Sequence, residues 1–154
     1  MNTLTVGDKA PLFTLNNQDN NPVTLSELQG KKVLIYFYPR ASTPGCTVQA
    51  QGLRDTKAEL DAHNVIVLGI SPDTPKKLTN FINKQELNFT LLADEDHATC
   101  EAYNVWQLKK FMGKESMGVV RTSFLIDENG NLEHIFNKFK TKDHHDVVLS
   151  YLNN

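Results

Sequence analysis

The chain has 154 residues, 40% hydrophobic and 22% charged, with a formal net charge of -2; this suits one domain, 1-154, with a sizeable core and gives no sign of disorder or a fibrous repeat. A near-neutral balance without a long basic run argues against nucleic acid, because such binding depends on Lys and Arg neutralising phosphates. The longest apolar run, 33–38, is far short of the roughly 20 residues that span a bilayer, so no membrane association is expected.

The start, Met1-Asn2-Thr3-Leu4-Thr5, is polar and lacks a signal-peptide core. Phe13-Thr14-Leu15 and Val23-Thr24-Leu25 read as short strands joined by the turn-rich Asn16–Pro22, a hairpin. Val33-Leu34-Ile35-Tyr36-Phe37-Tyr38 reads as a buried strand. A helix from about 46 to 62 and a second apolar strand, Val65–Ile70, complete a β-α-β unit, so the sheet is partly parallel. Ser71-Pro72-Asp73-Thr74-Pro75 carries N-cap and first-turn signals for a helix to about Glu86. The strand Phe89–Leu92 follows, then a short helix opened by Asp94-Glu95-Asp96 and passing Cys100. Trp106 to Met117 has no clean period. Val119–Ile126 and Leu132–Phe136 flank Asp127–Asn131, a hairpin signature built on Asn-Gly, and a last helix covers Asp143–Leu152. Two cysteines far apart in sequence make neither a disulfide framework nor a paired zinc motif, which favours a reducing, cytoplasmic setting and a free thiol.

The stretch Pro39-Arg40-Ala41-Ser42-Thr43-Pro44-Gly45-Cys46-Thr47 sets Cys46 where a buried strand passes into a helix. Free backbone N–H groups and the positive end of the helix dipole favour an anion there, and so favour thiolate. Gly45 lets backbone approach closely, Thr43 brings a hydroxyl nearby, and Pro39 and Pro44 stiffen the loop. The bland reading of the same residue is a small buried hydrophobe, the usual fate of a free cysteine.

Pro39-x-x-x-Thr43-x-x-Cys46 fits the P-x-x-x-T-x-x-C signature of peroxiredoxins. Val6–Pro11, Phe37-Tyr38-Pro39, Thr43–Thr47, Asn88–Leu92 and Arg121–Asp127 resemble the bacterioferritin comigratory protein, or peroxiredoxin Q, subfamily over nearly the whole chain. The resemblance implies an α/β thioredoxin-like fold, with a central mixed β-sheet flanked by helices and an N-terminal β-hairpin extension. It implies reduction of hydrogen peroxide and organic hydroperoxides without a cofactor. Recycling would come from thioredoxin, glutaredoxin or a small thiol, in a monomer or weak homodimer.

By the same resemblance, Cys46 is the peroxidatic cysteine and becomes a sulfenic acid. Thr43 orients the peroxide, Arg121 stabilises the thiolate and polarises the O–O bond, and Pro39 shields the sulfenic acid. Gln49 supports Arg121 by a hydrogen bond. Arg121 can also be read as a charge that blunts an edge strand, and Gln49 as a solvated helix residue.

The chain departs from the subfamily at Gln51, where many members carry a resolving cysteine five residues after the first. Five helical residues rise roughly 7.5 Å, so members that use this pair must unwind the helix start. No cysteine lies in 77–84 either, the second place where the subfamily keeps its resolver. Cys100 alone remains, and it reads more readily as a packed helix residue. The expectation is a one-cysteine cycle. A Cys46-Cys100 disulfide is the alternative within peroxidase chemistry, and a redox-sensing binding or holdase protein is the alternative outside it.

His97 and Cys100, beside Asp94 and Asp96, could form part of a metal site, but acids at a helix start and a surface histidine explain them more simply; no metal is expected. His144-His145-Asp146 reads as a helix cap. Lys109, Lys110 and Lys114 face solvent or gate the site's mouth.

Overall fold

The computed structural model describes residues 4–154; Met1 to Thr3, part of the polar start, lie outside the described residues. The strands are β1 (Thr14–Asn17), β2 (Pro22–Thr24), β3 (Lys32–Phe37), β4 (Val65–Ser71), β5 (Thr90–Ala93), β6 (Trp106–Phe111), β7 (Lys114–Val119), β8 (Thr122–Ile126) and β9 (Leu132–Phe136). The helices are α1 (Pro44–Asp55), α2 (Lys57–Ala62), α3 (Pro75–Gln85), α4 (Ala98–Ala102) and α5 (His144–Leu152).

Seven strands form one sheet in the order β2-β1-β5-β4-β3-β8-β9. β3, β4 and β5 run parallel, as their helical connections require, and the outer neighbours pair antiparallel. The expected N-terminal hairpin is present, and β1 also pairs with β5, so it extends the central sheet.

Strand alternation divides the core in two. On β3, Leu34 and Tyr36 face one side with Cys46, Ala50 and Leu53 of α1, Leu78 and Phe81 of α3, and Val148 of α5. Val33, Ile35 and Phe37 face the other, with Ala10, Phe13, Cys100, Tyr103 and Val119. A strand buried on both faces has no polar positions, and so reads as one apolar run.

Three of the expected helix and strand spans need correction. The helix expected over 46–62 starts at Pro44 and breaks at Thr56 (φ −108°, ψ 11°), whose hydroxyl donates to the Gly52 carbonyl at 2.8 Å and competes with the helical ladder. The aperiodic stretch after Trp106 is a separate hairpin, β6–β7, turning at Met112 (φ 52°) and Gly113 (φ 80°). Two positive φ values match the right-handed strand twist without the Asn-Gly signature. The strand expected over 119–126 is two: β7 ends at Val119 and β8 begins at Thr122, leaving Arg121 in the joint.

His144-His145-Asp146 is not the cap of α5. Asp143 holds that position and its carboxylate accepts from the Lys140 N–H at 2.8 Å, while His144 is buried. No helix of the described residues is long and apolar enough to cross a membrane.

Candidate active site

Cys46 lies in the first turn of α1. Thr43 is the extended N-cap residue and Pro44 takes the first helical position, where a missing N–H costs nothing. No side chain caps this end. The Thr43 hydroxyl instead donates to the Arg40 carbonyl at 2.8 Å. The donors of the first turn therefore remain directed at whatever anion stands beside Cys46. Cys46 itself is 1% exposed, which limits access to small reagents.

The loop before the helix is held from below. Asp73, buried between β4 and α3, accepts from the Ala41 N–H at 2.7 Å and from the Ser71 hydroxyl at 2.7 Å. Sequence reading placed Asp73 among cap signals; Thr74 is the cap, accepting from the Lys77 N–H, and Asp73 is the tether.

From the joint between β7 and β8, Arg121 reaches across to α1. Its Nη1 donates to Gln49 Oε1 at 2.9 Å. Its Nη2 lies 3.0 Å from where a Cβ on Gly45 would stand, so the guanidinium rests against the Gly45 backbone, one residue before Cys46. β8 lies between β3 and β9, so Arg121 guards no sheet edge. Gln49 is fully buried rather than solvated. Among the described residues no carboxylate pairs with Arg121, so its charge is not neutralised.

Beneath α1, Tyr36 of β3 shares the core cluster of Cys46, and its buried hydroxyl has no hydrogen-bond partner among the described residues. Burial, then Tyr38 and Cys46, push its phenol well above the usual range, so it stays a protonated donor. Nearby, His144 Nε2 and the Ser123 hydroxyl are 2.7 Å apart in the interior. Tyr36 carried no sequence signal, since it sits in an apolar run, and His144 was noticed only as part of a helix-cap triplet.

Pro39 follows β3 and lines a cleft of about 400 Å³ with Pro72, Trp106, Lys109, Lys110 and Met117. Thr43, Gly45, Cys46, Gln49 and Arg121 converge at the mouth of α1; Cys100 does not join them. Cys100 sits on α4, across the sheet in the other core, and both cysteines are free. Its N–H and that of Thr99 are held by the Asp94 carboxylate at 2.7 and 3.1 Å. Burial and the Asp94 carboxylate push the Cys100 thiol far up, so it is protonated.

Among the described residues no three His, Cys, Asp or Glu side chains are grouped to hold a metal. His97 lies flat on the Trp106 indole, with ring centroids 3.9 Å apart and planes at 3°.

The AhpC/TSA family model matches residues 6–135. A putative peroxiredoxin bcp of Haemophilus influenzae is 60% identical over 152 residues, covering 99% of this chain and 98% of the relative. Peroxiredoxin Bcp of Escherichia coli is 58% identical over 152 residues, covering 99% and 97%. Among solved structures, the bacterioferritin comigratory protein of Xanthomonas campestris superposes with a TM-score of 0.86 at 34% identity, covering 92% of this chain and 90% of that one. The thioredoxin-like peroxiredoxin fold is thus common to both.

Proposed function

Since the chain belongs to the AhpC/TSA family and is a peroxiredoxin, a thiol peroxidase, we propose that its cycle runs on Cys46 alone. The Cys46 thiolate attacks the terminal oxygen of a hydroperoxide, and an S–O bond forms as the O–O bond breaks. Sulfur loses two electrons to become the sulfenic acid, and the released alkoxide or hydroxide takes up a proton. The unneutralised Arg121 cation, steadied by Gln49 and set against Gly45, stabilises both the thiolate and the charge that develops on the leaving oxygen. Thr43 orients the peroxide and Pro39 covers the sulfenic acid. Hydrogen peroxide and organic hydroperoxides are the substrates, in keeping with the alkyl peroxide reduction named for the Xanthomonas campestris relative. The protein acts in the cytoplasm as a monomer or weak homodimer.

The observation that carries the one-cysteine reading is the separation of the two thiols by the sheet. An external thiol then attacks the sulfenic sulfur, water leaves, and a second thiol releases Cys46 from the mixed disulfide.

Mass spectrometry after one equivalent of peroxide tests this. Wild type and Cys100→Ser should both gain one oxygen at Cys46 and turn over equally with dithiothreitol, while Cys46→Ser should lose turnover. An internal disulfide that vanishes in Cys100→Ser, together with its turnover, would establish the two-cysteine cycle instead. Peroxide consumption no faster than that of Cys46→Ser would leave only a sensor or holdase.

A further inference from the structure

The loop between β3 and α1 is fastened to the body of the protein at few points. The Tyr38 N–H donates to the Ile70 carbonyl at 3.1 Å and so carries the β3–β4 pairing one residue further. Pro39 then has no N–H to offer, and the chain leaves the sheet. Among the described residues, the next hydrogen bond from this loop to another element runs from the Ala41 N–H to Asp73 Oδ2, at 2.7 Å. Ser42 follows in the left-handed region at φ 67°, which a serine adopts only at a cost. The Thr43 hydroxyl then turns back to the Arg40 carbonyl and closes the loop on itself.

Strained backbone persists where its surroundings over-determine it. Here a carboxylate does much of that. Asp73 is 6% exposed, and no ion pair engages it among the described residues, so its charge is directed to two neutral donors, the Ala41 N–H and the Ser71 hydroxyl, both on Oδ2. Such bonds are roughly twice as strong as those between neutral groups.

The two halves of the cycle ask opposite things of this loop. Resting on the peroxidase reading of Cys46, attack on a hydroperoxide uses the closed loop, which sets Thr43 and the free N–H groups of the first turn beside the sulfur. Reduction asks for more room. The incoming thiol must bring a sulfur atom, and the group that carries it, to a Cys46 that is 1% exposed.

We propose that Asp73 is a positioning residue whose bond to the Ala41 N–H divides the Cys46 loop between a closed form that reacts with peroxide and an open form that is reduced by thiols. It touches no reacting atom and acts through the loop. Weakening the bond slows the first half-reaction and speeds the second.

The two halves would be measured separately in wild type, Asp73→Asn and Asp73→Ala. Rapid-quench mass spectrometry gives the rate at which Cys46 gains one oxygen from hydrogen peroxide. Capture of the preformed sulfenic acid by thionitrobenzoate, read from the loss of its absorbance, gives the second rate: its thiolate forms an S–S bond with Cys46, and the sulfenic oxygen takes up a proton from solvent and leaves as hydroxide. Asp73→Ala should raise capture about tenfold, because the open population grows as the closed form loses a charged hydrogen bond. It should lower the peroxide rate constant about tenfold through the lost alignment of the loop. Asp73→Asn keeps the shape and an acceptor without the charge, and should shift both rates in the same directions by less. Both rates falling together, as a general loss of structure would cause, or both unchanged in the two variants, would overturn this role for Asp73 and leave the peroxidase reading intact. A wild type that gains no oxygen at Cys46 would instead overturn the peroxidase reading, and the role of Asp73 with it.

Discussion

The guanidinium of Arg121 is held by an amide, Gln49, rather than by a carboxylate, so its hydrogen bond fixes geometry without spending the positive charge. The motif around Cys46 was legible because proline, glycine and threonine each leave a distinct backbone signature. Gln49 was legible only through the family resemblance, because a glutamine on a helix by itself reads as solvated until something is known to cover it. His144 is a second buried polar residue of this kind. Burial lowers its imidazole from 6.5 to about 3. The unfolded chain therefore takes up that proton first, so the stability tied to neutral His144 is complete above about pH 6.5 and declines as pH falls toward 3. The whole swing is at most about 5 kcal/mol. Tm should accordingly fall between pH 7 and pH 4. His144→Gln should flatten that slope and cost about 1–3 kcal/mol at pH 7 through the disturbed Ser123 hydroxyl. A variant whose Tm keeps the wild-type slope would assign it to other groups.

At the level of elements, α1 matters as the frame that holds Cys46, and its position depends on how closely α5 approaches. Gly52 makes that approach possible: a Cβ there would overlap the His145 ring, not merely the tip of a flexible chain. Gly52→Ala should therefore destabilise the protein by about 1–3 kcal/mol, the usual cost of overpacking, despite alanine's better helix propensity. His145→Ala in the same chain should recover most of the loss. Denaturant unfolding of the two singles and the double would measure it, and a double no better than Gly52→Ala would place the strain elsewhere. The central strands β3, β4 and β5 were readable from their apolar runs because both faces are buried. The β6–β7 hairpin was not, because most of it faces solvent and no core imposes alternation on it. The break at Thr56 was missed for a local reason, a hydroxyl returning to its own helix, which composition does not reveal.

Across the whole molecule, the seven-stranded sheet separates two cores and puts one cysteine in each. Sequence spacing could not show this, since two residues far apart in a chain can fold to either side of a strand. Both thiols are buried, at 1% and 0% exposure, so accessibility in the native state does not distinguish them. What opens each one does. Cys46 follows a loop held by the Asp73 tether at Ala41, and a local opening of that loop is expected to uncover it. Cys100 is packed among Phe13, Tyr103 and the under-face of β3, with its N–H tied to Asp94, and it becomes accessible only when that core comes apart. Alkylation in increasing sub-denaturing urea should separate the two, because a local opening exposes little surface and a global one exposes nearly all of it. Cys46 labelling should show a small dependence on urea. Cys100 labelling should have the slope and the free energy of global unfolding. If Cys100 instead labelled with the shallow slope of Cys46, α4 would open as readily as the active-site loop. The sheet would then be no barrier to a disulfide between the two cysteines.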